Sequence, residues 1–182
     1  MSIHILAVSF SGKGPDGSGR SIMHSSLRLA RWSEASSFTL IGGRLIADQF
    51  DMRTRVLLSR KRYSTKPAKK AHSEALNRLL DRQTAIIEIA RKAALSSDDN
   101  LMEIPFIDER GNLKNLHLDH AGTLMRDGLK ALEVFFWFED SPGEYVHALM
   151  AKDYPGLIIA AQVYGDGGEK LLTLTLNSWS SR

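Results

Sequence analysis

Between Arg53 and Lys70 the chain carries eight cations and no carboxylate: Arg53, Arg55, Arg60, Lys61, Arg62, Lys66, Lys69 and Lys70. Like charges at this density repel one another unless an anion or an acidic surface lies close. The run therefore cannot enter a core, and whatever fold forms must hold it at the surface. It also dominates the charge of the whole chain. Residues 1–73 hold 13 Lys/Arg against 4 Asp/Glu, whereas residues 74–182 hold 11 against 17. The formal net charge of +3 is thus a strongly positive part followed by a negative one.

The remaining composition is that of an ordinary globular chain of 182 residues, 43% hydrophobic and 25% charged. This length suits one domain, or one domain with a helical appendage. Cysteine is absent, which excludes disulfides, thiolate catalysis and Cys-ligated zinc or iron–sulfur clusters. A reducing, cytoplasmic setting is expected. Met1-Ser2-Ile3-His4-Ile5 shows no basic segment followed by a long apolar core, so no signal peptide is read there. No apolar run reaches the 18 or so residues of a transmembrane helix, and no membrane association is expected.

Along the chain, Ile3–Phe10 reads as a strand, and residues 37–46 look extended. Residues 22–32 fit either a helix or a strand. The clearest helical pattern runs from Lys66 to Leu95, with Thr65 as cap and Pro67 in the first turn. Leu76, Leu79, Leu80, Ile86, Ile87, Ala90, Ala93 and Ala94 recur at three-to-four spacing, which gives one apolar face. At about 1.5 Å per residue this helix would extend roughly 45 Å and project as an interaction element. Residues 102–107 and 112–118 read as a hairpin. Asp119 caps a second helix reaching Leu132, and residues 143–153 form a short third one. Val134–Phe138 fits either a helix end or a buried strand. Residues 157–164 and 170–177 flank Gly165-Asp166-Gly167-Gly168, a hairpin turn.

Four constellations can carry chemistry. The first is the basic run itself. Arg and Lys release counterions when they neutralise phosphates, which gives salt-sensitive affinity without choice of sequence. Tyr63 lies among these cations and can stack on an exposed base. The plain alternative is a solvated charged loop.

The second is the loop Gly14-Pro15-Asp16-Gly17-Ser18-Gly19-Arg20-Ser21, which follows a predicted strand. It resembles the phosphate-binding loop of P-loop nucleotide kinases, G-x-x-x-x-G-K-[ST]. Gly14, Gly19 and Ser21 match, while Arg20 stands where the pattern has lysine. The resemblance implies ATP and magnesium as cofactors, with Gly14, Gly17, Gly19, Arg20 and Ser21 on phosphate and Glu139 or Asp140 near the metal. The plain alternative is a glycine-rich loop between two strands.

The third, His117-Leu118-Asp119-His120, contains metal-ligating residue types at an uninformative spacing; a capping Asp beside surface histidines explains it equally. The fourth is the aromatic run Phe135-Phe136-Trp137-Phe138 with Tyr145 and Tyr154, which reads as core.

Together these features predict a single α+β domain over residues 1–182. It has a mixed or antiparallel sheet, one long amphipathic helix and a second core helix. The expected function is non-enzymatic nucleic-acid binding without a cofactor. The phosphate backbone would be gripped by Arg53, Arg55, Arg60, Lys61, Arg62, Tyr63, Lys66, Lys69 and Lys70, in a protein that self-associates or joins a nucleoprotein assembly through the long helix. Two alternatives stand beside it: a degenerate P-loop NTP-binding protein or small kinase, and a structural or inhibitory protein–protein interaction module.

Overall fold

The computed structural model describes residues 3–13, 16–27, 30–56, 59–65, 80–96, 101–108, 110–126, 128–141 and 143–175. The chain divides into two compact units, residues 1–85 with 105–113 and residues 86–104 with 114–182.

A five-stranded antiparallel meander dominates the first unit: β1 (Ile3–Lys13), β2 (Asp16–Leu27), β3 (Ala30–Ile41), β4 (Arg44–Val56) and β5 (Ser59–Thr65). The β3–β4 connection is the two-residue turn Gly42-Gly43, closed by the pair Ile41↔Arg44. Both glycines have positive φ, 55° and 74°, as a hairpin turn that follows the strand twist requires. A register shift between Ser37 and Phe38 lets β3 and β4 continue pairing beyond it. One face of the middle of this sheet is buried through Phe38, Leu45, Ala47 and Phe50, together with Ser21, Glu34 and Ser36.

The second sheet adds β6 (Leu80–Asp81), β7 (Met102–Ile107), β8 (Leu113–Arg126), β9 (Leu129–Phe138), β10 (Tyr145–Ala151), β11 (Ile158–Tyr164) and β12 (Lys170–Thr175). Its order is β12-β11-β10-β9-β8-β7-β6. The two-residue β6 runs parallel to β7, and β8 through β12 pair antiparallel. Alternation is clear in the middle of the sheet, where Leu116, Leu118, Val134, Phe136, Phe138 and Ala148 are buried and their neighbours in sequence turn to the other face. Ala131, Ala151 and Ile159 form a further buried cluster, beside a register shift at Leu149/Met150. Each large apolar side chain so buried contributes about 1.5–3 kcal/mol.

The molecule is therefore mostly β, not the α+β arrangement that the sequence pattern suggested. Among the described residues one helix is present, α1 (Arg82–Leu95). The expected helix is not continuous through to Leu95, because Leu80–Asp81 is strand and Asp81 caps α1. Asp81 Oδ1 accepts the backbone N–H groups of Gln83 (2.9 Å) and Thr84 (3.1 Å), and the Asp81 N–H donates to Thr84 Oγ1 (2.9 Å). Residues 66–79 of the expected helix lie outside the described ones. Nor is α1 one-sided: Ala85, Ile87, Ile89, Ala90, Ala93 and Ala94 are buried along with Gln83, Thr84 and Glu88. No helix among the described residues is long and apolar enough to cross a membrane.

The second expected helix, residues 119–132, is the end of β8, a turn and the start of β9. Arg126 pairs with Leu129 across Asp127-Gly128, and Gly128 has a φ of 78°. An Asp-Gly pair between apolar runs is a strong hairpin signal, and it outweighs the helical spacing of Leu124, Met125, Leu129 and Leu132. The short helix expected at 143–153 is likewise strand β10. The expected hairpin around Gly165–Gly168 is present, joining β11 to β12.

Within the first unit, Ser36 Oγ also donates to Asp81 Oδ1 at 2.6 Å. Asp81 Oδ2 and the Oε1 of Gln83 are buried without a hydrogen-bond partner. Complete burial pushes the Asp81 carboxyl above its ordinary pKa, against the lowering effect of the bonds from Ser36, Thr84 and Gln83. A raised carboxyl favours folding while protonated, so its contribution is present below the ordinary aspartate range and is lost as pH rises through the folded value. Asp81→Ala is expected to lower unfolding stability by about 2 kcal/mol through loss of the cap. Asp81→Asn keeps the acceptor without the charge, so its stability should hold on going from acid to neutral pH where the wild type declines. Urea titrations across that range check both.

Candidate nucleic-acid interface

Successive residues of a strand face opposite ways, so pairing register decides which cations meet. Arg31 on β3 pairs with Arg55 on β4, and Arg55 pairs with Arg60 on β5. One step along, Ser33 pairs with Arg53, and Arg53 with Arg62. Five guanidinium groups thus stand on one exposed face in two parallel rows that cross three strands. At about 4.8 Å between strands and about 6.8 Å between alternate residues, the rows occupy roughly 10 by 7 Å.

Both rows border a concavity of about 600 Å³. Its lining is the two rows together with Trp32, Thr54 and Lys61. These three occupy the intervening row, Trp32 paired with Thr54 and Thr54 with Lys61. Like charges facing each other across strands destabilise a sheet. Among the described residues no carboxylate forms an ion pair with Arg31, Arg53, Arg55 or Arg60. A bound anion would remove that repulsion.

One carboxylate closes the end of this surface. Asp51 follows Arg53 on the same face of β4 and pairs with Ala35 and Ser64. Gln49 Nε2 donates to its Oδ2 at 2.7 Å, and Arg62 Nη2 lies 3.7 Å from its Oδ1. Partial burial acts to raise the Asp51 carboxyl, but the hydrogen bonds from Ser64 and Gln49 and the charges of Arg62 and Arg53 outweigh it and leave it below its ordinary value.

The structure brings together only part of the expected set. Arg53, Arg55, Arg60 and Arg62 share the face just described. Lys61 and Tyr63 are on the opposite face, beside Thr54 and Met52, so Tyr63 does not stand among the arginines. Lys66, Lys69 and Lys70 lie outside the described residues. Arg31 and Asp51 were not among the expected site residues. Both flank the basic run or lie far from it in sequence, and only the pairing of β3 with β4 brings them in. The Gly42-Gly43 turn signal carries that register, once the bulge at Ser37 is known.

The glycine-rich segment does not have the context that a P-loop needs. β1 and β2 are an antiparallel hairpin with Lys13 paired to Asp16. Gly17, Gly19, Arg20 and Ser21 are inside β2, paired on both sides, and no helix follows. Ser21 is buried, Arg20 is exposed, and Gly14 lies outside the described residues. Phosphate cradling by backbone N–H groups at a helix N-terminus is therefore not built here.

On the second sheet, His117 and Asp119 share one face of β8. His117 stacks on Trp137 (5.5 Å between centroids) and pairs with Glu103 at 3.1 Å. Among the described residues no group of three or more metal-ligating side chains is present. The aromatic run divides by alternation: Phe136 and Phe138 are buried, while Phe135 and Trp137 are half-buried on the other face.

Asp51→Asn removes the negative charge that faces Arg62. At neutral pH the variant should be less stable than the wild type, because a depressed carboxyl favours folding above its ordinary range. That difference should close as pH falls through the lowered value. Thermal melts of the pair against pH test it. Neither a protein-family model, nor a curated protein, nor a solved structure matches the chain.

Proposed function

We propose that this protein binds nucleic acid through its phosphate backbone, as part of a nucleoprotein assembly. The observation that carries the reading is the pair of arginine rows, Arg31-Arg55-Arg60 and Arg53-Arg62, held on one exposed face by the β3–β4–β5 register. Arginine presents a planar fork that matches phosphate oxygens, and a rigid sheet fixes those forks in advance. Arg31, Arg53, Arg55, Arg60 and Arg62 supply most of the lining of the concavity, alongside Trp32, Ser33, Thr54 and Lys61. Contacts of this kind position a phosphate chain but read no base edges, so binding is expected to be independent of sequence. The excess of carboxylates after residue 73 would favour a cationic partner surface within such an assembly.

If about five phosphates are neutralised, the logarithm of the association constant should fall with the logarithm of salt at a slope near −4.5 on duplex DNA. Replacing Arg53 and Arg55 by glutamate should lower affinity at least tenfold and flatten that slope. Arg110→Ala, an exposed arginine outside these rows, should change neither. Fluorescence anisotropy with a mixed-sequence oligonucleotide over a salt series makes the measurement. Affinity that is absent at low salt, or indifferent to salt, contradicts the proposal.

A further inference from the structure

We infer that the concavity bordered by the arginine rows is a receptor for a linear triphosphate, carried either by a free nucleotide or by the 5′ end of an RNA. The inference rests on the reading of this face as a phosphate-binding surface and narrows it to one anion shape. Three observations support the narrowing. The volume, about 600 Å³, falls in the range of small-molecule sites and is modest for a groove that tracks a long polymer.

The charge is also dense. Five guanidinium groups border a patch of roughly 10 by 7 Å. An internal phosphodiester carries one negative charge per nucleotide, whereas a terminal triphosphate gathers about four into a shorter length, and so meets both rows at once.

The surface also ends where an anion would have to end. On β4 the order Arg55, Arg53, Asp51 runs along the exposed face, and Asp51 is held there by Gln49 and faces Arg62. An extended phosphate chain leaving the concavity past Arg53 meets that carboxylate. A compact anion bound between Arg31, Arg53, Arg55, Arg60 and Arg62 does not. Asp51 is on this view a specificity-determining residue: it repels continued backbone and tolerates a terminus.

The test uses the whole protein and inorganic tripolyphosphate as the probe, by calorimetry and by displacement of a labelled oligonucleotide. At matched ionic strength tripolyphosphate should bind at least tenfold tighter than orthophosphate or sulfate. Arg55→Glu should abolish this preference. Asp51→Asn should tighten tripolyphosphate several-fold, a gain that misfolding cannot mimic. Comparing a nucleoside triphosphate with RNAs bearing a 5′-triphosphate or a 5′-hydroxyl then assigns the source, since the inference requires the triphosphate-bearing form to win in at least one pair. Equal binding of tripolyphosphate and orthophosphate overturns the inference, even if the oligonucleotide still binds in a salt-dependent way. Tight tripolyphosphate binding with no oligonucleotide binding would support the inference and remove the broader nucleic-acid reading.

Discussion

Strand register is the constraint on which the rest of this structure depends. In an antiparallel sheet the side-chain period is two, and a slip of one residue moves a whole row to the other face. Here the Gly42-Gly43 turn and the shift at Ser37 fix β3 on β4, and the β4–β5 pairing then follows from Phe50↔Thr65 to Val56↔Ser59. That alignment does two things at once. It buries Phe38, Ala47 and Phe50 on one side, and it stacks Arg31, Arg55 and Arg60 in a line on the other. The hydrophobic gain of the buried side holds the cations in a geometry that their mutual repulsion opposes. A slip would relieve the repulsion only by exposing the apolar row.

The second sheet is stabilised by the same rule with different chemistry. Its half-exposed face carries cross-strand rings: His117 on Trp137, Phe135 on His147 at 4.8 Å and Tyr145 on Tyr164 at 4.8 Å, with Lys170 Nζ 6.0 Å from the Tyr164 ring. His147 Nε2 also lies 2.7 Å from Glu133 Oε1, and the Tyr164 hydroxyl donates to Gln162 at 2.6 Å. Such pairs each contribute some tenths of a kcal/mol up to about 1 kcal/mol to a sheet. These rings stack on one another across the strands, so this ladder reads as sheet stabilisation.

Much of the fold was legible where local signals were unambiguous. The β11–β12 hairpin followed from Gly165-Asp166-Gly167-Gly168, and the first strand from its Ile- and Val-rich run. Over the described residues the expected helix is present from Arg82 to Leu95, and Leu80–Asp81 is strand instead. Leu76 to Leu80 continues the three-to-four spacing backwards, and nothing in that spacing shows that Leu80 and Asp81 pair with Phe106 and Ile107. The misreading of residues 119–132 has another cause. Leucines at Leu124, Leu129 and Leu132 fit a helix and two strands equally, and the Asp127-Gly128 turn decides between them. Of the site, the basic run was visible because charge density needs no structure to be recognised. What the one-dimensional run hid was its division between two faces: Arg53, Arg55, Arg60 and Arg62 on one, Lys61 and Tyr63 on the other. Long-range pairing also brought in Arg31 and Asp51, which no local pattern marks.

The central claim is that one face of β3–β5 is the anion-binding surface. Mapping amide and arginine side-chain resonances by NMR on titrating a short oligonucleotide addresses it most directly. The account predicts that the guanidinium signals of Arg31, Arg53, Arg55, Arg60 and Arg62 shift together and saturate, with backbone shifts at Trp32, Thr54 and Lys61. Shifts centred on Gly17–Ser21, or on the aromatic face of the second sheet, with the five arginine signals unmoved, would contradict it.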